Sequence, residues 1–145
     1  VAAGAASSIV ESSAVDRRGA SRRLRRLREI RPEFAAGLDF LLHRLLTKDI
    51  PSSLNKMRLL SEHVLCELCK RHGVTWGVAA PTLERMKGPL IACGAIPSDV
   101  ALHVDTIQRN ASPGSHYQER PLSTGHEEVA FIAFVEFLEW YQGTL

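Results

Sequence analysis

The segment from Glu128 to Tyr141 constrains this chain most, because it carries Val129, Phe131, Ile132, Phe134, Val135, Phe137, Leu138, Trp140 and Tyr141 within one uninterrupted run. Thr124 and Glu127 stand three apart ahead of it, the spacing of a capping box that starts a helix. Gly143 supplies the stop. Wound at about 100° per residue, those apolar side chains cover most of the circumference, and Glu128, Glu136 and Glu139 leave a narrow polar stripe. A helix of this kind is either the centre of a bundle or meets a partner with half of its surface. A second copy of the chain or a partner protein, docked on this last helix, is therefore expected.

The rest of the sequence repeats the helical period and shows no strand series with hairpin turns. Leu24, Leu27 and Ile30 recur at spacing three after Ser21, and Pro32 ends that short basic helix. A second helix is expected over residues 33–48, with Phe34, Leu38, Leu41, Leu42, Leu45 and Leu46 on one face. After a loop at Pro51-Ser52-Ser53, a third runs from about Leu54 to His72 on the stripe Leu54, Met57, Leu60, Val64, Leu65 and Leu68, and Gly73 closes it. Pro81 opens a helix reaching about Cys93, with Pro89 expected to kink or split it. Ser98 caps another from Asp99 to about Gln108, with Val100, Val104 and Ile107 facing inward.

The expected fold is all-α, a compact bundle of about four core helices with extra N-terminal helices. The expected organisation is a mobile segment over residues 1–20, a basic helix plus an amphipathic helix over 21–50, and the main helical domain over 51–145. A chain of 145 residues suits one such core.

Charge is distributed unevenly. Residues 1–31 hold eight arginines against Glu11, Asp16 and Glu29, whereas the remainder has ten basic and thirteen acidic side chains. A basic arm can hold phosphates or an acidic partner, although an arm of this composition is ordinarily a solvated linker. No apolar run reaches the ~18 residues of a membrane span, so no membrane partner is expected. Three cysteines without framework spacing point to a reducing, cytoplasmic setting. With no initiator Met and no signal peptide, the sequence reads as a processed form or a piece of a longer protein.

His63, Cys66, Cys69 and His72 look like metal ligands until placed on a helix. Each step of three turns about 300°, which sends His63 and His72 to opposite sides, so the four cannot close on one tetrahedral ion. Packed cysteines are expected, with no metal and no cofactor. Phosphate-binding glycine loops, nucleophile elbows and helical zinc motifs are absent from the sequence.

Chemistry is left with one place, Arg109-Asn110-Ala111-Ser112-Pro113-Gly114-Ser115-His116-Tyr117. Arginine presents a fixed fork of donors to a phosphate and to charge developing on it. Histidine titrates near neutrality and can move a proton at a ribose hydroxyl or a leaving oxygen. The candidate catalytic residues are His116, Arg109 and Asn110, and the candidate binding residues are Ser115, Tyr117 and Arg58. The competing assignment is a polar turn whose Asn, Ser, Pro and Gly serve chain reversal.

These residues resemble the signature of the HEPN superfamily, small helical domains defined by Arg, four to six further residues and His, usually with a polar residue after the Arg. The resemblance extends to an uncharacterised bacterial branch whose motif reads roughly I-R/Q-x-x-G-N-x-G-S-H. Ile96-Pro97, Ile107-Gln108, Gly114-Ser115-His116 and Trp140-Tyr141 stand in that branch's places, and Arg58 with Glu62 resembles its R-x-x-x-E. The likeness spans about Ser52 to Tyr141. Where the branch carries Gly-Asn, this chain has Ala111-Ser112, followed by Pro113.

The resemblance implies one of two activities. Active HEPN domains are metal-independent ribonucleases in which two protomers bring Arg-His pairs together; His116 would be acid or base, Arg109 would stabilise the phosphate charge and Asn110 would orient the pair. Others are binding or regulatory modules of larger proteins, often in bacterial defence or stress systems. The altered turn, the acidic compact part and the fragment-like sequence favour the non-catalytic module, with RNA cleavage as the alternative.

Overall fold

A computed structural model describes residues 18–29, 32–46, 49–77, 80–111 and 124–145. Among them the chain forms six α-helices and one 3₁₀ turn, with no strand. They are α1 (18–29), the turn Pro32–Phe34, α2 (Ala35–Leu46), α3 (Ile50–His72), α4 (Leu83–Ala92), α5 (Ser98–Ala111) and α6 (Thr124–Gly143). The all-α bundle expected from the periodicity is the fold. No helix among the described residues is long and apolar enough to cross a membrane.

The apolar circumference of α6 is explained by its position. Ala130, Phe131, Ala133, Phe134, Val135, Phe137, Leu138 and Tyr141 are all buried, and α6 packs against α3 and, most extensively, α5. Part of its narrow polar stripe is paired, because Arg23 of α1 donates from Nε to Glu139 and from a terminal nitrogen to Glu136 at 2.5 Å. Burial disfavours the Arg23 charge, but the two carboxylates outweigh it and raise its pKa above the ordinary arginine value. Of the alternatives the sequence left open for this helix, the central one accounts for nearly all of its apolar residues. Val129 remains half exposed, with Ile132 and Trp140 partly covered.

The N-terminal helices share the same core. Ala20, Leu24 and Leu27 of α1 and Phe34, Leu38, Leu41 and Leu45 of the next segment join the buried cluster formed by α3 to α6. This corrects two expectations. The basic helix already includes residues 18–20, which had been assigned to a mobile segment, and it is docked rather than a solvated linker. The reason is its seam: Ala20, Leu24 and Leu27 recur at i, i+4 and i+7 and bury together. On the other flank Arg28 grips Asp39 of α2 with two bonds of 2.5 and 2.9 Å, which holds the Asp39 carboxyl below the usual carboxylate range.

Helix α3 contacts α2, α4, α5 and α6 and is the second axis of the bundle. It begins four residues earlier than its apolar stripe suggested. Asp49 is the N-cap and accepts from the Ser52 amide at 3.3 Å, while Pro51 sits in the first turn, where its missing N–H costs nothing. At the other end Gly73 adopts φ +63°, and the Val74 amide reaches back to the Cys69 carbonyl at 2.9 Å, closing the helix as expected. Helix α4 starts at Leu83 with Thr82 as cap, not at Pro81, and passes through Pro89 without splitting.

Candidate functional site

Helix α5 sets the geometry of the motif. It does not stop at Gln108 but continues to Ala111, so Arg109 and Asn110 lie in its last turn and not in an irregular connection. The physical reason is Ala111, which extends the inward stripe Val100, Val104, Ile107 at the correct spacing and is fully buried. The signal was present in the sequence but was outweighed by the turn-forming residues that follow it. Ser115, His116 and Tyr117 lie outside the described residues, as do Ser112 to Gly114.

Arg109 and Asn110 differ sharply in what they do. Arg109 is exposed, as is Leu102 seven residues before it on the same face of α5. It makes no hydrogen bond or ion pair among the described residues. Asn110 is half-buried and donates from Nδ2 to the Thr106 carbonyl of its own helix at 2.8 Å. Its amide is therefore spent on the helix end, a local bond that Asn makes readily to the preceding turn.

Arg58 is engaged within α3. Its terminal nitrogens donate to Asn55 Oδ1 at 2.8 Å and to Glu62 Oε1 at 3.1 Å. Burial pushes the Glu62 carboxyl above the usual carboxylate range, and the Arg58 charge only partly offsets it. Arg58 Nε, Ser61 Oγ on the same helix and Gln108 Oε1 on α5 are buried without a hydrogen-bond partner. No hydrogen bond or ion pair joins Arg58 to Arg109 or Asn110 among the described residues. Of the candidate site, the structure therefore presents a free guanidinium, an amide turned to its own backbone and a second guanidinium held by neighbours.

The histidines and cysteines of α3 go to separate environments. Cys69 is fully buried, Cys66 meets Met86 sulfur at 3.5 Å, His63 lies edge-on to Phe34 at 5.8 Å and His72 is exposed. Among the described residues no three His, Cys, Asp or Glu side chains are grouped to hold a metal ion. Burial raises both thiol pKa values, which lowers the thiolate fraction that redox chemistry needs.

The sequence reading missed Arg23. Its pairing with Glu136 and Glu139 spans 113 and 116 residues, and no local pattern points to it. The available signal was the polar stripe of an otherwise apolar helix, which needed a cationic cover.

Comparison with protein-family models, with curated proteins and with solved structures finds no match for this chain.

Proposed function

We propose that this chain is a HEPN-like helical interaction module of a larger protein, of the sort used in bacterial defence or stress systems, and that it acts by binding and regulation rather than by catalysis. The observation that carries this reading is the state of Asn110. The polar residue after the motif arginine, whose role in an active pair is to orient it, is bonded to the Thr106 carbonyl. Ala111, standing where the related motif has glycine, is locked into α5 by burial. The first half of the motif thus serves as a helix end. Self-association through the last helix would use the patch around Val129, with Ile132 and Trp140 at its edge.

Arg109 favours the second reading, a metal-independent endoribonuclease. It is exposed and unengaged among the described residues, as a composite two-fold site requires of a group that reaches phosphate beside another protomer. There a ribose 2′-hydroxyl would lose its proton to His116 and attack the adjacent phosphorus. The 5′-oxygen would leave with a proton, and a cyclic phosphate would remain. Arg109 would stabilise the charge on the phosphate oxygens.

Incubation of the protein with mixed RNA in EDTA, beside His116→Ala and Arg109→Ala, separates the two. The interaction module predicts no cleavage by either form. Cyclic-phosphate ends produced by the unaltered protein and lost in both variants would establish the ribonuclease instead. Arg109→Ala is expected to leave the melting temperature within about 2 °C, since exposed substitutions away from specific contacts change stability by about 0.5 kcal/mol or less. Light scattering at tens of micromolar tests self-association, and a strictly monomeric mass refutes it.

A further inference from the structure

Helix α1 carries a third set of side chains beyond its buried seam and its two clamps. Ala20, Leu24 and Leu27 face the core. Arg23 on one flank reaches α6, and Arg28 on the other reaches Asp39 of α2. The remaining arginines, Arg18, Arg22, Arg25 and Arg26, fall within an arc of about 100° centred opposite the seam. All four are exposed, and none makes a hydrogen bond or ion pair among the described residues. Glu29 is exposed on the same face at its C-terminal end. From Arg18 to Arg26 the stripe is about 12 Å long.

We infer that this stripe is a docking surface for the phosphate backbone of a nucleic-acid duplex. The stripe's four guanidiniums can each neutralise one backbone phosphate, so about three to four phosphates are engaged. All the cations are guanidiniums, whose planar forks fit phosphate oxygens in pairs. Residues 1–31 contain no lysine at all.

Other polyanions fit less well. An amphipathic helix binds a membrane surface by burying its apolar face in lipid, but that face of α1 is already used in the core. Single strands need aromatic side chains for base stacking, and α1 has none. An acidic protein segment gains little from each exposed ion pair and lacks the condensed counterions whose release drives binding to a duplex. The surface lies outside Ser52 to Tyr141, so it does not depend on the HEPN-like reading.

The test is fluorescence anisotropy with a 20-bp DNA duplex of mixed sequence, since contact through phosphates does not discriminate the sugar. The unaltered protein is expected to bind, with log K falling against log salt at a slope of about −3, roughly 0.9 per phosphate. Arg18→Gln/Arg22→Gln/Arg25→Gln/Arg26→Gln is expected to weaken binding at least tenfold at 100 mM salt. Arg25→Gln/Arg26→Gln is expected to lower the slope magnitude by about 2, close to 1 per arginine. Circular dichroism reports whether each variant stays folded, and the double variant suffices if the quadruple one does not. No binding, an unchanged slope in the double variant, or a greater loss from Arg109→Gln overturns the inference. So does equal or tighter binding to a poly-glutamate peptide or to vesicles of 30% anionic lipid.

Discussion

Leu24→Ala asks whether α1 belongs to the folded unit or merely lies on it. Leu24 has no exposed surface and sits at the centre of the seam between Ala20 and Leu27. Truncating a fully buried leucine costs about 2–5 kcal/mol, from lost transfer energy and the cavity left behind. The low end applies if α1 shifts inward to fill the space, and a value near 3 kcal/mol is expected because Arg23 and Arg28 restrict that movement from both flanks. For a chain of this size, 3 kcal/mol corresponds to a fall in melting temperature of about 10 °C. Arg23→Gln provides the comparison. Its ion pairs are partly exposed, so their loss is expected to cost about 1 kcal/mol or less. Urea unfolding followed by circular dichroism gives both values. A Leu24→Ala cost below about 0.5 kcal/mol would refute the packing, since that is the range of a substitution on an unpacked surface. An Arg23→Gln cost exceeding that of Leu24→Ala would show that charge, not burial, docks the helix.

Two further substitutions probe opposed effects at single sites. Because the folded pKa of Glu62 is raised, its stabilising contribution is complete below the unfolded pKa of about 4.3 and is lost as pH rises through the folded value. Glu62→Gln, whose amide oxygen still accepts from Arg58, is therefore expected to match the parent at pH 4 and to be equally or more stable at pH 7. A urea midpoint at pH 7 lower than the parent's would show that the Arg58 attraction exceeds the burial penalty. Gly37→Ala should gain about 1 kcal/mol of helix propensity, but the new Cβ would lie 2.8 Å from Leu60 Cδ2. The substitution is expected to raise the melting temperature more in a Leu60→Ala background than in the parent; equal effects in the two backgrounds would remove the clash as the cause.

What the sequence revealed depended on whether a position's role was local. The stripes of α3, α5 and α6 recur at helical spacing and are buried apart from Leu60, Val129, Ile132 and Trp140. Helix ends were harder where one residue admits two uses. Pro51 suits a loop or a first turn, and Asp49 decides for the turn by capping it. Asn110 suits a turn or a helix end, and burial of Ala111 decides for the helix. The docking of α1 was hidden because arginines outnumber its three seam residues, and the partners of Arg23 on α6 are over a hundred positions away. At the candidate site, the residue types were legible, but the orientation of Asn110 and the engagement of Arg58 depend on three-dimensional neighbours that spacing does not encode.

The clamp between α1 and α6 also has a consequence in time. Glu139 follows Arg23 by 116 residues. At a synthesis rate of about 5–20 residues per second, some 6–23 seconds separate the appearance of one from the other. Throughout that interval Leu24 and Leu27 have no central helix to cover them. The nascent chain therefore presents an arginine-rich segment with a bare apolar seam beside the ribosome, and a chaperone acting on this protein has its longest opportunity there.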